Sequence, residues 1–222
     1  MKPVIKTVSQ QVYERLKSEI LSGTLLPGDW VRELDVAAEL EVSRTPVREA
    51  VRRLAQEGLL ELVANRGVKV RHLSSTDVMD VYELREVLEG IAARKAAQLA
   101  SRDGVEQLEK YLEVIERTPP EQTAAHIVAD DDFHMAVVKL AGSSALYDVI
   151  SMLSDRVTRA KILTRNTNAS ELTRDQHRQV VAAIAAGAAT EAERAMRNHI
   201  RTYRQVLEEM LSQSLDSELE TR

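Results

Sequence analysis

The sequence contains no cysteine. Disulfide bonds and thiolate metal sites are therefore excluded, and the absence is typical of proteins from a reducing compartment. Aromatic residues make up only 3% of the chain, whereas alanine and leucine dominate the 44% that is hydrophobic. Because alanine and leucine are strong helix formers, this composition favours helices over a β-sandwich. We expect a mostly α fold.

Long apolar runs are missing as well. The first twenty residues lack the hydrophobic segment of a signal peptide. No stretch approaches the ~18 uninterrupted apolar residues that can cross a bilayer. The sequence therefore predicts a soluble, cytoplasmic protein without a membrane partner. A length of 222 residues suits a small domain followed by a medium one, each able to bury a core.

Acidic residues outnumber basic ones, but the two signs are unevenly distributed. Residues 1–72 carry 12 Lys and Arg against 10 Asp and Glu, a net charge of +2, while residues 73–222 carry 18 against 25, a net charge of −7. Within residues 42–71 the balance is seven basic against three acidic side chains. A total charge of −5 therefore does not exclude a polyanionic ligand at the N-terminal part.

Hydrophobic spacing predicts three helices in the N-terminal part. The first ends near Gly23, and a short one lies within residues 32–40, with Leu34 available for burial. Thr45 would cap the third helix and place Pro46 at its first position, where a missing N–H costs nothing. The third helix would turn one apolar stripe inward, formed by Val47, Ala50, Val51 and Leu54.

The outer face of the third helix is basic and is followed by a predicted wing. Two short helices with an exposed basic second helix form a helix-turn-helix, whose second helix enters the major groove of DNA. After it, LLELV and VKVRH flank the turn ANRG and predict two strands. An ordinary solvated basic face is the alternative interpretation. The predicted DNA-contacting residues are Arg32, Ser43, Arg44, Thr45, Arg48, Arg52 and Arg66.

Residues 23–70 resemble the winged helix-turn-helix of the GntR family of bacterial transcription regulators. The shared features, in order, are the turn GTLLPGDW, the VSRTPVREA block, the EGL sequence and the NRG wing. The resemblance implies that Arg44, Thr45 and Arg48 contact operator bases and phosphates and that Gly67 approaches the DNA backbone closely. Trp30 departs from the family pattern, in which a smaller aliphatic residue is usual.

The rest of the chain is predicted to form an all-α bundle of six helices. Their approximate bounds are 74–100, 104–117, 121–141, 144–165, 171–186 and 189–212. The inward stripe of the first of these would be Val78, Val81, Leu84, Leu88, Ile91 and Ala92. We therefore expect a DNA-binding domain at 1–72, a helical domain at 73–213, and a polar, frayed tail at 214–222.

Histidines are the candidate metal ligands of the helical domain. Asp130 and His134 lie four residues apart, so they are neighbours on one helix face. His177 and His199 fall on the apolar stripes of later helices and should point inward. Buried imidazoles from several helices, next to a carboxylate, can share a cation such as Zn, Ni, Co, Mn or Fe(II). Spacing leaves open whether His126 replaces His134, and whether each histidine is a separately hydrogen-bonded core residue.

A second resemblance covers the segments that carry these histidines. DDDFHMAVVKLAGSSAL resembles the D-x-x-x-H helix of the FCD ligand-binding domain of FadR-type GntR regulators, and DQHRQVVAAIAAG with AERAMRNHI resembles its two later histidine helices. The resemblance implies a divalent metal ion, with zinc favoured and Ni, Mn, Co or Fe as alternatives. The implied ligands are Asp130, His134, His177 and His199, which leaves His126 and His72 as packing or surface residues.

An anionic effector is the expected partner of this metal site. In the family, a small carboxylate occupies the metal or the pocket beside it, and Arg85 matches a position that often faces that pocket. A guanidinium suits a carboxylate bidentately, although a salt bridge from Arg85 to Glu89 is an alternative. Arg159 is a further candidate. Ser143 follows Gly142 where the family often has asparagine, which bears on the identity of the effector.

We therefore expect a transcription regulator, by default a repressor, and not an enzyme. A homodimer would read a pseudo-palindromic operator in double-stranded DNA, because two-fold protein symmetry requires two-fold symmetry in the half-sites. A small organic acid would change the affinity for that operator. The alternatives are a metal-dependent hydrolase or oxygenase that uses the three-histidine, one-aspartate centre, and a DNA-binding scaffold whose metal is purely structural.

Overall fold

A computed structural model describes residues 6–64, 66–72, 74–119, 122–164 and 171–220. For residues 123, 163, 164, 171 and 211–220 it describes the backbone alone. The chain divides into two compact units, Met1–Leu73 and Ser74–Arg222, which we call the head and the body. The predicted turn residue Asn65 lies outside the described residues.

The head contains a helix-turn-helix and a small sheet. Its elements are α1 (Val8–Leu21), β1 (Trp30–Val31), α2 (Glu33–Glu39), α3 (Arg44–Gln56), β2 (Leu60–Val63) and β3 (Gly67–Val70). The three strands form an antiparallel sheet in the order β1-β3-β2. Strands β2 and β3 are the predicted wing, whereas β1 lies in a segment that the sequence predicted as a turn.

The core of the head is built from the apolar faces of α1 and α3. The predicted stripe of α3 is confirmed, since Val47, Ala50, Val51 and Leu54 are all at most 1% exposed. They pack in one cluster with Val12, Leu16 and Ile20 of α1. The prediction for Leu34 is wrong, because that side chain is 60% exposed. Helix α2 turns Ala37 and Val36 towards the core instead.

Helix α3 begins earlier than predicted. Ser43, not Thr45, occupies the N-cap position with an extended backbone, and Arg44 is the first helical residue. Pro46 therefore stands third in the helix. Its missing N–H still falls among the first four, which have no partner within a helix, so the proline is compatible with this position. The effect is to place Arg44 and Thr45 in the first turn.

The body consists of six described helices, as predicted. They are α4 (Ser75–Leu99), α5 (Arg102–Arg117), α6 (Thr123–Leu140), α7 (Ser144–Thr164), α8 (Glu171–Ala185) and α9 (Ala189–Glu220). Helix α4 starts at a capping box formed by Ser74 and Asp77. Helix α9 extends beyond the predicted bound of 212, as far as Glu220.

The buried face of α4 differs from the predicted one. Val78, Val81 and Ala92 are buried as expected, but Leu84 is 51% exposed. In its place, polar residues face the interior: Tyr82, Arg85 and Glu89 are at most 4% exposed. Among the described residues, no helix is long and apolar enough to cross a membrane.

Candidate nucleic-acid interface and candidate metal centre

The predicted DNA-contacting side chains all lie on the surface of the head. Ser43, Arg44, Thr45, Arg48 and Arg52 follow α3 and its first turn, and each is exposed. Arg32 precedes α2, while Arg66 and Gly67 lie at the turn between β2 and β3, and these three are exposed as well. The head therefore presents a basic helix and a wing to solvent, as a major-groove reader requires.

Two of the arginines on α3 share one carboxylate. Glu33 Oε2 lies 3.4 Å from Arg48 Nε and 3.6 Å from Arg44 Nη2. Because both arginine side chains are about half exposed, with side-chain values of 53% and 51%, solvent screens these pairs and leaves the guanidinium groups accessible.

Arg53, the neighbour of Arg52, has a structural role. Its guanidinium lies 3.8 Å from the ring centroid of Tyr13 and also bonds Gln10 and Glu57. Arg53 therefore links α3 to α1 by packing on the Tyr13 ring, and this contact distinguishes it from Arg44 and Arg48.

The predicted ligands of the body come together inside the bundle. Asp130 and His134 on α6, His177 on α8 and His199 on α9 are all at most 3% exposed. One ligating atom from each lies within 4.8 Å of the others. His134 Nε2 is 3.2 Å from His199 Nε2 and 3.7 Å from Asp130 Oδ2, and His177 Nε2 is 3.2 Å from Asp130 Oδ1.

The unpaired polar atoms of this cluster fit a metal ion. Neither ring nitrogen of His177, nor Nδ1 of His199, nor Oδ1 of Asp130 makes a well-aligned hydrogen bond in the described part of the chain, although His177 Nε2 and Asp130 Oδ1 are only 3.2 Å apart. Buried polar atoms without partners are costly. Three separations within the cluster, 3.2 Å for His134 Nε2–His199 Nε2, 3.2 Å for His177 Nε2–Asp130 Oδ1 and 3.7 Å for His134 Nε2–Asp130 Oδ2, are close to the edge of about 3.3 Å in a tetrahedron with metal–ligand distances of about 2.0–2.1 Å. The full set of ligating atoms spreads over up to 4.8 Å. Three nitrogens and one oxygen therefore form a donor set suited to a divalent ion of the Zn type.

Burial also keeps two of the imidazoles neutral, as metal ligands must be. It lowers the pKa of His177, and it lowers the pKa of His199 well below its usual value, with further lowering from the neighbouring histidines. Burial alone would raise the pKa of Asp130, but the ammonium of Lys161 holds it well below its usual range. The aspartate is therefore a carboxylate at neutral pH.

Glu89 on α4 links one ligand to the predicted effector arginine. Its Oε2 lies 2.5 Å from Nδ1 of His134, and its Oε1 accepts a 2.5 Å bond from Nε of Arg85. Burial would raise the pKa of Glu89, but Arg85 and His134 lower it to about 2. An ionised Glu89 accepts the Nδ1 proton of His134, which directs the Nε2 lone pair towards the other ligands. The alternative salt bridge of Arg85 with Glu89 is thus present.

Lys161 on α7 binds Asp130, the other candidate metal ligand on α6. Its Nζ lies 2.5 Å from Oδ2 of Asp130 and 2.5 Å from Oδ1 of Asp131. Although burial opposes the charged form, the two carboxylates raise the pKa of Lys161. Because the ammonium bonds Oδ2 of Asp130, the unpaired Oδ1 is left for the histidines. We call Arg85, Glu89, His134, Asp130, Lys161 and Asp131 the buried network.

The sequence indicated Glu89 only as a salt-bridge partner of Arg85, and Asp131 and Lys161 were missed, because a charged residue on a helix is normally expected at the surface. One signal was available: His134 needed an Nδ1 acceptor, and carboxylates of α4 were candidates. Of the remaining histidines, His126 is fully buried on α6 outside the cluster, and its two ring nitrogens also lack hydrogen-bond partners among the described residues. The convergence of four ligating atoms, and not the missing partners alone, therefore distinguishes the cluster. His72 is exposed.

A small cavity adjoins the buried network. Its volume is about 20 Å³, and its polar wall is formed by Arg85, Glu89, Asp131 and His134. Its apolar wall comes from Met135 and from α7 side chains that include Leu153 and Val157. This space is enough for about one water molecule. The other predicted effector residue, Arg159, is buried on α7 and does not line this cavity.

Both units match known sequence families. Residues 8–70 match the family described as bacterial regulatory proteins of the gntR family, and residues 80–202 match the FCD domain. A probable D-xylose utilization operon transcriptional repressor of Paenarthrobacter nicotinovorans is 33% identical over 197 residues, which cover 89% of this chain and 87% of that protein. The transcriptional repressor RspR of Escherichia coli K12 is 28% identical over 214 residues, 94% and 92% of the two chains.

Solved structures show the same fold. McbR/YncC of E. coli superposes with a TM-score of 0.77 at 21% identity, covering 92% of this chain and 99% of that one. A putative GntR transcriptional regulator from Rhodococcus sp. RHA1 gives a TM-score of 0.77 at 24% identity, covering 90% and 96%. The winged helix-turn-helix followed by a helical FCD domain is therefore the architecture of these proteins as well.

Proposed function

The chain belongs to the GntR family of bacterial regulatory proteins and carries an FCD domain, and from this premise we propose that a small organic acid, bound beside a divalent metal ion in the body, adjusts its affinity for operator DNA. The chain is a DNA-binding transcription regulator and not an enzyme, since its relatives are transcription regulators. The hydrolase and oxygenase alternatives are therefore set aside.

One observation carries the metal part of the proposal. Four buried side chains from three helices direct ligating atoms to a common point, and several of these atoms have no other partner among the described residues. A protein that used these histidines only for packing would leave buried donors and acceptors unsatisfied. Asp130, His134, His177 and His199 would hold the ion, with zinc favoured by the donor set and Ni, Mn, Co or Fe as alternatives.

The charges of the buried network explain why an anionic effector would depend on the metal. The network contains two cationic groups, Arg85 and Lys161, and three carboxylates, those of Glu89, Asp130 and Asp131. With neutral histidines its formal charge is −1, which repels an organic anion. A divalent ion would supply two positive charges, and the sum would become +1. A carboxylate oxygen would then join the metal by expanding its coordination beyond the four protein ligands.

Glu89 and Lys161 are positioning residues in this proposal. Glu89 fixes the tautomer and ring orientation of His134 through Nδ1, and Lys161 fixes the carboxylate of Asp130 through Oδ2. They come from α4 and α7, whereas the two ligands they hold are on α6. Two helices that supply no ligand therefore orient the ligands of a third.

Arg85 is the group that would bind the effector carboxylate. It is buried on the wall of the cavity, next to His134, and its guanidinium can offer further N–H groups beyond the one given to Glu89. An organic acid is larger than the 20 Å³ cavity, so binding requires the α7 side chains Leu153 and Val157 to move. We assign Arg159 a secondary place in effector binding, since it is buried on the same helix.

DNA binding would follow the predicted arrangement. Arg44, Thr45, Arg48 and Arg52 would lie at the major groove, with Ser43 and Arg32 at phosphates and the wing residues Arg66 and Gly67 beside the backbone. A cytoplasmic homodimer would read a pseudo-palindromic operator, and the body has exposed apolar side chains for such contacts on α4 and α7: Leu84, Val87, Val149 and Met152. Relatives named as repressors support repression as the output.

The proposal is tested on the purified full chain. Elemental analysis should find about one divalent ion per chain in the wild type and background levels in His177→Ala. A panel of small carboxylates should raise the melting temperature of the wild type in the presence of metal only, because a ligand of the folded state stabilises it by mass action. The same acid should change operator affinity, measured by fluorescence anisotropy, by roughly 5- to 150-fold.

Each part of the proposal can fail separately. A wild-type protein that takes up no divalent ion from a metal-supplemented buffer contradicts the metal site. Metal uptake without any response of melting temperature or operator affinity to the carboxylates indicates a purely structural metal. His177→Ala should still bind non-specific DNA, since the head contains none of the changed residues, and this binding serves as the control for folding of the head.

A further inference from the structure

The chain has a single tryptophan, and it is on the surface of the head. Trp30 occupies the first position of the two-residue strand β1 and is 47% exposed, while the next residue, Val31, is buried in the core. Nothing in the effector site or in the predicted base contacts uses this residue. A large aromatic side chain that is half exposed is a candidate contact for a partner.

Trp30 lies between the wing and the start of the recognition helix. It pairs across the sheet with Lys69, and a Cβ at Gly67 would be 3.9 Å from two atoms of its six-membered ring. It lines a groove of about 660 Å³ together with three arginines, Arg32, Arg44 and Arg66. Two of these arginines belong to elements that face DNA, namely Arg44 at the start of α3 and Arg66 at the wing turn.

The position of this groove follows from how the two elements meet DNA. A recognition helix lies in the major groove, and a wing reaches the adjacent minor groove or its edge. The sugar–phosphate strand that separates the two grooves must therefore cross the protein surface between helix and wing. That surface is the groove that Trp30 lines.

The geometry points to Trp30 as a DNA contact that packs its indole ring on the deoxyribose of this strand, while Arg32, Arg44 and Arg66 flank it at the phosphates. A deoxyribose offers C–H groups that suit the apolar face of an indole, and the indole N–H can donate to a phosphate oxygen.

The charges of the groove agree with this occupant. Glu33 and Asp35 also line it, but Glu33 is already paired with Arg44 and Arg48. The three arginines outnumber the two acids, so a polyanion is the complementary partner.

The single tryptophan makes the contact directly measurable. Emission from the wild type reports on Trp30 alone, so titration with an operator duplex should shift and partly quench it, saturating at the same protein-to-DNA ratio as the anisotropy of a labelled duplex. A contact with the strand is independent of sequence, so a non-specific duplex at low salt should give a similar change.

Substitutions separate this contact from the phosphate contacts. Trp30→Ala should weaken operator binding about five- to tenfold, on the scale of one lost interface side chain, and Trp30→Phe should retain most of the affinity. Because the lost contact is apolar, the slope of log K against log salt should not change, whereas Arg66→Ala should reduce that slope by about 1. Leu62→Ala is the matched control, since Leu62 is an exposed apolar residue of the same sheet, on β2 and outside the groove.

Three results would overturn the assignment. They are wild-type emission that stays unchanged while anisotropy saturates, a folded Trp30→Ala protein that binds as tightly as the wild type, and a loss in Leu62→Ala equal to that in Trp30→Ala. If Trp30→Ala does not fold, the wild-type emission and Trp30→Phe decide the matter. Absence of DNA binding in the wild type would instead contradict the function of the head itself.

Discussion

The head and the body both concentrate charged side chains, but they do so in opposite environments. Arg44 and Arg48 of the head are about half exposed, and their shared partner Glu33 lies 3.4 to 3.6 Å away. Arg85, Glu89 and Lys161 of the body are at most 4% exposed and contact their partners at 2.5 Å. Water and salt screen the first set and have little access to the second.

This difference predicts how each set responds to substitution. Exposed arginines act almost independently. Substituting one of them should therefore change the free energy of unfolding little and lower the affinity for DNA by the contribution of that arginine alone. The buried network acts as a unit, because removing one member leaves another charge buried without its partner. Variants that remove one charge at a time therefore test whether the two environments differ in this way.

The largest effect is expected for Lys161→Met in the absence of metal. The change removes the ammonium partner of the buried Asp130 and of the partly buried Asp131, and breaking a buried pair from one side costs about 3–5 kcal/mol. Added divalent metal should recover much of this loss, because it neutralises Asp130. Urea unfolding with and without metal measures both values. By linkage, Lys161→Met should also bind metal more tightly than the wild type.

Lys139→Met serves as the control, since Lys139 is an exposed lysine of α6. It should change stability by less than about 0.5 kcal/mol. Equal losses in the free energy of unfolding for Lys161→Met and Lys139→Met would contradict the prediction. So would a metal-induced stabilisation of Lys161→Met no greater than that of the wild type.

The next effect concerns Glu89. Glu89→Gln keeps an amide oxygen that can accept the Nδ1 proton of His134 but loses the negative charge, so metal affinity should fall about 10- to 100-fold. Glu89→Ala should lose more. Glu83→Gln on the same helix is the matched control, because Glu83 is exposed and pairs only at the surface with Arg204. Competition with a chelator of known affinity measures all three, and equal affinities for Glu83→Gln and Glu89→Gln would contradict the positioning role.

Glu89 also shows where sequence reasoning stops. Helical spacing correctly predicted six helices in the body and an inward position for His177 and His199. It assigned Leu84 to the interior of α4, whereas the structure exposes Leu84 and buries Arg85 and Glu89. A charged residue is buried only where it finds partners. The partners of Glu89 are Arg85 on the same helix and His134 on α6, and the pattern of one helix does not encode the second of them.

In the head, the errors of prediction have local causes. Ser43 and Thr45 are both good N-cap residues two positions apart, so composition alone does not select between them. Strand β1 has two residues and exists only through pairing with β3, which no local pattern indicates. The buried stripe of α3 was predicted correctly, because its apolar residues are regularly spaced and unmixed with buried charges.

A smaller effect is expected from single arginines of the head. Arg48→Ala should weaken operator binding by about 1–3 kcal/mol and reduce discrimination between operator and mutated sites, if Arg48 contacts a base. Arg53→Ala removes the same charge from the same helix, but Arg53 packs on Tyr13. It should therefore lower the melting temperature more than the base discrimination. Anisotropy titrations at one fixed salt concentration, together with thermal melts, separate the two outcomes. If the wild type and Arg48→Ala discriminate equally between operator and mutated sites, Arg48 does not contact a base.

The smallest effect tests whether the exposed pairs of the head are as weak as their surroundings imply. Glu33 holds Arg44 and Arg48 in the absence of DNA, and phosphates must compete with its carboxylate for both guanidinium groups. Glu33→Gln should therefore tighten binding to non-specific DNA by less than about 1 kcal/mol, the usual limit for surface ion pairs, and lower the ratio of specific to non-specific affinity. Glu39→Gln removes the same negative charge from the same helix, but Glu39 pairs with Arg15 and not with Arg44 or Arg48. It therefore corrects for the change in net charge. If Glu33→Gln tightens binding to non-specific DNA by several kcal/mol more than Glu39→Gln does, solvent does not screen the Glu33 pairs. The ion pairs of the head would then resemble those of the body more closely than the exposure of Arg44 and Arg48 implies.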